Sequence, residues 1–131
     1  MIEIRNLHKY FGEIKVLSDL SMSIQEGDIF GIVGHSGAGK STLLRCLNGL
    51  ESYQEGSVRV MGKEVQELNP DELKELRRNM GMIFQNFNLM NRKNVFENIL
   101  FPLEVWGIPK KEAAQRVEEL LKLVGLSEKK D

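Results

Sequence analysis

An α/β fold with an antiparallel β front is predicted by three features of the sequence. They are alternating strands at the start, a short all-apolar run leading into a glycine-rich loop, and helical periodicity over the last third. Ile2 and Ile4 alternate with Glu3 and Arg5 as in a half-buried strand, and a second strand-like segment runs from Val16 to Ile24 before the turn Q-E-G-D at 25–28. These two strands are expected to be antiparallel. The run IFGIV at 29–33 suits a strand buried on both faces of a parallel sheet. The loop follows it, and then a helix over about 41–50.

Further on, E-G-S at 55–57 turns the chain into V-R-V-M-G, whose Val58 and Val60 share one face as in a surface strand. The next helix start is fully signalled. Asn69 caps, Pro70 takes the first helical position, Glu72 completes a capping-box spacing, and Leu68 can staple onto Leu73. Its apolar face extends through Leu76 to Met80, and Gly81 is expected to stop it. M-I-F at 82–84 reads as a second buried strand ending at Gln85. Helical segments follow at 95–101 and after Pro109, where Ala113, Val117, Leu120 and Val124 recur at helical spacing before Gly125. The expected organisation is a β front and loop-bearing core over 1–84, then the beginning of a helical subdomain over 85–131.

Composition narrows the functions open to such a chain. With 131 residues there is room for one core, a single domain or a piece of one. The net charge is -1, and the basic residues Lys15, Arg45, Arg59, Lys63, Arg77 and Lys93 are scattered rather than gathered in a stripe, so no nucleic-acid partner is expected. The single cysteine, Cys46, excludes an internal disulfide and a multi-cysteine metal site. The first ten residues lack a signal-peptide core, and the apolar stretch at 98–108 is broken by Pro102, Glu104 and Gly107. A cytoplasmic chain is expected, reaching a membrane only through a partner.

The loop at 34–42, GHSGAGKST, carries the chemistry. Gly34, Gly39, Lys40 and Ser41 satisfy the G-x-x-x-x-G-K-[ST] pattern between an apolar run and a helix. Glycines let successive backbone N–H groups converge on phosphate oxygens, and the following helix adds its own free N–H groups and the positive end of its dipole. Lys40 is expected to reach the β- and γ-phosphates and Ser41 to ligate Mg²⁺. His35, Ser36, Gly37, Ala38 and Thr42 complete the cradle, with His35, Ser36 and Ala38 as spacers contributing N–H groups more than side chains. A nucleoside triphosphate and Mg²⁺ are the expected ligands of such a P-loop NTPase core.

With that loop placed, the surrounding residues resemble the ATP-binding subunits of ABC transporters, and among them amino-acid importers of the methionine-importer group. The resemblance rests on LHKYFG, VLSDLSMSI, GIVGHSGAGKSTLLRCLNGLE, RRNMGMIFQNFNL and NVFENILFPLEV, which occur in family order along almost the whole chain. It implies an ABC ATPase core in which Phe11 stacks on adenine, with Tyr10 as the alternative. It implies that Gln85 approaches Mg²⁺ and the attacking water, a positioning role alongside Lys40. Integral-membrane transporter subunits and a second copy of the ATPase subunit are the implied partners, and the implied location is the inner face of the cell membrane. The region of Phe84, Phe87, Leu89 and Met90 matches the place where such proteins receive a short helix from the membrane partner.

Later parts of the family machinery are missing from this sequence. No two glycines are adjacent, which excludes an LSGGQ signature, and both histidines, His8 and His35, precede Lys40, which leaves no switch histidine. No apolar strand ends in Asp-Glu. The chain is therefore expected to be the N-terminal portion of the family domain, stopping before the signature, and to bind Mg-ATP without hydrolysing it. The alternatives are a self-contained P-loop NTPase or kinase, or an interaction fragment that binds no nucleotide.

Overall fold

The computed structural model describes residues 1–129. Two compact units divide the chain, one over Met1–Met82 and the other from Ile83 onward.

The first unit is built on a four-stranded antiparallel sheet in the order β2-β1-β3-β4, with β1 at Ile2–Phe11, β2 at Ile14–Ile24, β3 at Glu55–Val60 and β4 at Lys63–Glu64. Phe11 faces Ile14 across a tight connection through Gly12, so β1 and β2 form a hairpin in which Ile2 pairs with Ile24 at the far end. The ladder shifts between Ile4 and Leu7, around Asn6 with φ 47°. Asn6 is held there by its N–H to Ser21 Oγ and by its side-chain amide to Asp19 Oδ1, both at 2.8 Å. Past the shift Leu7 and Lys9 are buried, as Ile4 is before it.

Helix α1, Lys40–Leu47, supplies Leu43, Cys46 and Leu47 to a core that also contains Ile4, Leu7, Leu17, Val58 and Val60. Val58 and Val60 share a face as expected, but both are buried in this core and not on a surface strand. Burial pushes the Cys46 thiol up to about 11, so it behaves as a small apolar side chain. Helix α2, Pro70–Arg78, starts as the sequence predicts. Asn69 accepts from the N–H groups of Asp71 and Glu72, and Glu72 accepts from the Asn69 N–H at 3.0 Å. It ends at Arg78 with Asn79 as its cap, before reaching Gly81. Arg77 returns to Asn48 O and Gly49 O at 2.9 and 3.0 Å, which ties α2 to the end of α1.

Two expectations are corrected. Neither 29–33 nor 82–84 forms a strand, and Ile29, Val33 and Ile83 are almost fully exposed. An all-apolar parallel strand needs partners on both edges and cover on both faces, supplied by distant crossovers. Among the described residues no segment pairs with either run; only Ile32 packs against the core. The antiparallel strands form because their partners are present in the same unit, β2 one tight hairpin after β1 and β3 returning to β1 after β2 and α1.

Glu64 is the hub of a half-buried polar network, accepting from the hydroxyls of Tyr53 and Ser57 and from the Val58 N–H at 2.9 Å. Burial alone would raise its pKa. The hydrogen bonds from Ser57, Tyr53 and Val58, with Arg59 nearby, outweigh burial and hold it below the usual carboxylate value. A carboxyl lowered in the folded state stabilises the fold above its unfolded pKa, and that contribution is lost as pH falls through the folded value. Glu64→Gln is accordingly expected to lower stability at neutral pH by about 1–3 kcal/mol. Urea titrations repeated at decreasing pH should show the gap between wild type and variant narrowing in acid.

The second unit consists of α3, Val95–Val105, and α4, Lys110–Leu123. Asn94 and Glu97 form a second capping box. Helix α3 extends past the expected end at 101 and carries Pro102 inside it; the next turn is closed by the Trp106 N–H to Pro102 O at 3.1 Å. In α4 the buried stripe is Ala113, Val117 and Leu121, whereas Val124 caps the helix and is exposed. Asn98 binds the preceding loop through Met90 N, Met90 O and Lys93 O.

Candidate phosphate-binding site

Helix α1 begins differently from its neighbours. Its N-cap is Gly39 at φ 84°, with no capping side chain and no acidic residue in the first turn, whereas α2 and α3 close their starts with Asn side chains and first-turn glutamates. The first-turn N–H groups of Lys40, Ser41 and Thr42 have no intrahelical acceptor, and the positive end of the helix dipole is not neutralised by a neighbouring side chain. That is the electrostatic condition for holding an anion.

The loop before it is exposed from Gly34 to Ala38, and Gly37 also has positive φ, 82°. The Ala38 N–H bonds His35 O at 3.2 Å, and His35 Nδ1 lies 2.7 Å from Ser36 O. Lys40 reaches back over the loop and donates to Gly34 O and His35 O, both at 2.7 Å. Its ammonium therefore closes the ring of chain from 34 to 40 at the mouth of the helix. Ser41 is exposed on the first turn, Thr42 is half-buried, and Leu43 anchors the turn in the core.

A Cβ on Gly39 would lie 2.9 Å from both Val16 O and Leu17 Cδ2. The loop thus rests against β2 two residues beyond Ile14, the partner of Phe11. Two strand residues span about 7 Å, so the hairpin tip stands close to the loop. Phe11 lies on the same side of β1 as the buried Lys9, whose Nζ is 4.4 Å from its ring centroid. Tyr10 points to the other face, stacked on His8 at 6.4 Å with the Lys15 ammonium 5.7 Å from its ring.

Gln85 lies in the second unit, exposed and in a turn. Phe87 and Leu89 beside it are exposed, while Phe84 and Met90 are half-buried. The residue that sequence reading passed over is Lys9. It is only 3% exposed, and its ammonium is paired with Glu51 at 2.7 Å. Its signal was available: a lysine between Leu7 and Phe11 on the buried phase of β1 demands a partner.

Known proteins resemble this chain in sequence and in fold. Residues 17–131 match the family model described as ABC transporter. The methionine import ATP-binding protein MetN of Clostridium acetobutylicum is 63% identical over 129 residues, covering 98% of this chain and 40% of that protein. The protein of the same name from Clostridioides difficile is 60% identical over 131 residues, covering 100% and 41%. The chain spans about two fifths of the length of these curated relatives. Among solved structures, a dimeric post-hydrolysis state of an ATP-binding cassette bound to ADP and Pi aligns with a TM-score of 0.80 at 33% identity, over 93% of this chain and 56% of that one. A dimeric bacterial ABC transporter cassette aligns with a TM-score of 0.82 at 35% identity, with the same coverage.

Proposed function

The chain belongs to the ABC transporter family, and from that premise we propose that it grips Mg-ATP for an importer ATPase that energises amino-acid uptake, with methionine as the solute. The observation that carries this reading is the uncapped start of α1 behind a loop closed by Lys40. The similarity to methionine import proteins supports the solute class.

In this reading the loop amides from Gly34 to Ser41 take the phosphate oxygens. Lys40 leaves the carbonyls of Gly34 and His35 for the β- and γ-phosphates, exchanging two neutral acceptors for anionic ones. Phe11 offers its ring to adenine, favoured over Tyr10 because it lies on the Lys9 side of β1 while Tyr10 is stacked on His8. The donor set fits Mg²⁺, which favours oxygen ligands and is usually held by phosphates with few protein groups. The exposed Ser41 hydroxyl is one such oxygen, and among the described residues no cluster of three His, Cys, Asp or Glu offers a different metal site. Ser41 would hold the ion, which would neutralise phosphate charge.

The partners in this reading are a second ATPase subunit and integral-membrane subunits on the cytoplasmic side. The exposed Phe87 and Leu89 next to Gln85 support an apolar docking region there. No helix among the described residues is long and apolar enough to cross a membrane.

Titration calorimetry with Mg-ATP on the 131-residue chain should give one site per chain, and Phe11→Ala should weaken it by roughly tenfold, as loss of one base-stacking aromatic does. Absence of heat would remove the reading. Steady phosphate release that Lys40→Ala abolishes would favour a self-contained NTPase instead.

A further inference from the structure

We propose that Lys9 is a positioning residue for the nucleotide base, holding the Phe11 ring from behind so that its other face is presented to adenine. This deepens the nucleotide reading above and rests on it.

The Lys9 side chain is only 4% exposed, so its ammonium needs compensation from the protein. Two groups supply it. The Glu51 carboxylate accepts a hydrogen bond at 2.7 Å, and the Phe11 ring lies with its centroid 4.4 Å from Nζ. Glu51 is itself fixed, because its N–H bonds Arg45 O at 3.1 Å in the last turn of α1. The ammonium cannot follow the ring outward without leaving this carboxylate. Nor can the ring swing away without uncovering a cation that is otherwise out of water. Phe11 is 45% exposed, and an exposed aromatic would ordinarily have to be ordered by its ligand. Here Lys9 does that ordering before the base arrives.

The same contact fixes where the ring stands relative to the phosphate loop. Gly39, at the start of α1, lies against Val16 near the hairpin tip, and Glu51, just beyond its end, holds Lys9. Strand β1 is fastened further by the Gln54 N–H to His8 O at 3.1 Å and by the Tyr10 N–H to Gln54 Oε1 at 2.9 Å. The aromatic and the loop are thus referenced to the two ends of one helix. A role in orienting the ring predicts a defect confined to ligands that carry a base.

The test compares Mg-ATP with Mg-tripolyphosphate, which has the phosphates and no base, on the full 131-residue chain by calorimetry. Lys9→Met is expected to weaken Mg-ATP about fivefold and to leave tripolyphosphate within about twofold. In a Phe11→Leu background the same change should cost nothing further, because the ring it orients is gone. Lys9→Arg should recover most of the ATP affinity, since a guanidinium can pair with Glu51 and lie on the ring. Equal weakening of both ligands, or an undiminished loss in the Phe11→Leu background, would overturn the proposal in favour of a purely structural ion pair. Should Lys9→Met fail to fold, Glu51→Gln serves: a base-selective loss supports the proposal, and a loss for both ligands or for neither overturns it. If wild-type chain binds neither ligand, the nucleotide reading fails and this role with it. If wild type binds ATP and Lys9→Met binds it equally well, only the role of Lys9 is lost.

Discussion

Lys40→Ala lowers affinity for Mg-ATP by roughly 10- to 150-fold, the range expected when one charge-assisted hydrogen-bonding cation is removed from an anion site. The fold should survive the change. Lys40 spends its two hydrogen bonds on exposed loop carbonyls, while α1 is anchored by Leu43, Cys46 and Leu47. Alanine also favours the helix that begins at this position. Calorimetric titration paired with urea unfolding checks both halves, and a large stability loss would mean that the lysine closes the loop structurally.

The second large effect falls on a residue outside the site. Gly56→Ala is expected to destabilise the chain by about 3–5 kcal/mol, a sizeable part of the total stability of a domain this size. Gly56 stands at φ 96°, and a Cβ there would run into the Asn6 carbonyl oxygen and come within 2.6 Å of Arg5 O. Both obstacles are backbone, at the shift in β1, so neither can turn aside as a side chain would. The β1–β3 ladder must open, and β1 carries Phe11 and Lys9. Gly62 provides the control: its φ is 79° but nothing lies within 4 Å of its Cβ position, so Gly62→Ala should cost about 1 kcal/mol of strain only. Urea midpoints for the two variants, with unchanged slopes, would separate steric clash from backbone strain.

How much of this was legible in the sequence depends on how far away the deciding partner lies. The start of α2 was readable in full because Asn69, Pro70 and Glu72 settle it within four positions. The β1–β2 hairpin was readable for the same reason, although its register and the shift at Asn6 were not, since Ser21 and Asp19 hold that shift from the opposite strand. The runs at 29–33 and 82–84 gave the composition of buried strands, but composition states what surroundings a segment requires and cannot supply them. Their exposure here follows from the lack of a pairing segment among the described residues.

At the site, glycine spacing and the lysine were plain because a phosphate cradle is made by consecutive residues. That Phe11 lies against Lys9 while Tyr10 stacks on His8 is set by the alternation of β1, anchored by its buried neighbours. The Lys9–Glu51 pair joins residues 42 apart in sequence, and no local pattern could have matched them. What did show locally was a cation on the apolar phase of a strand, which asks for a partner without naming it.

The proposed grip on a triphosphate is made by main-chain amides at the start of α1. Amide chemical-shift mapping of the ¹⁵N-labelled chain during titration with Mg-ATP tests it most directly. The largest shifts are expected on the amides of residues 34–42, with smaller ones at Phe11. Shifts concentrated elsewhere, with Gly37, Gly39 and Ser41 unmoved at saturation, would contradict it.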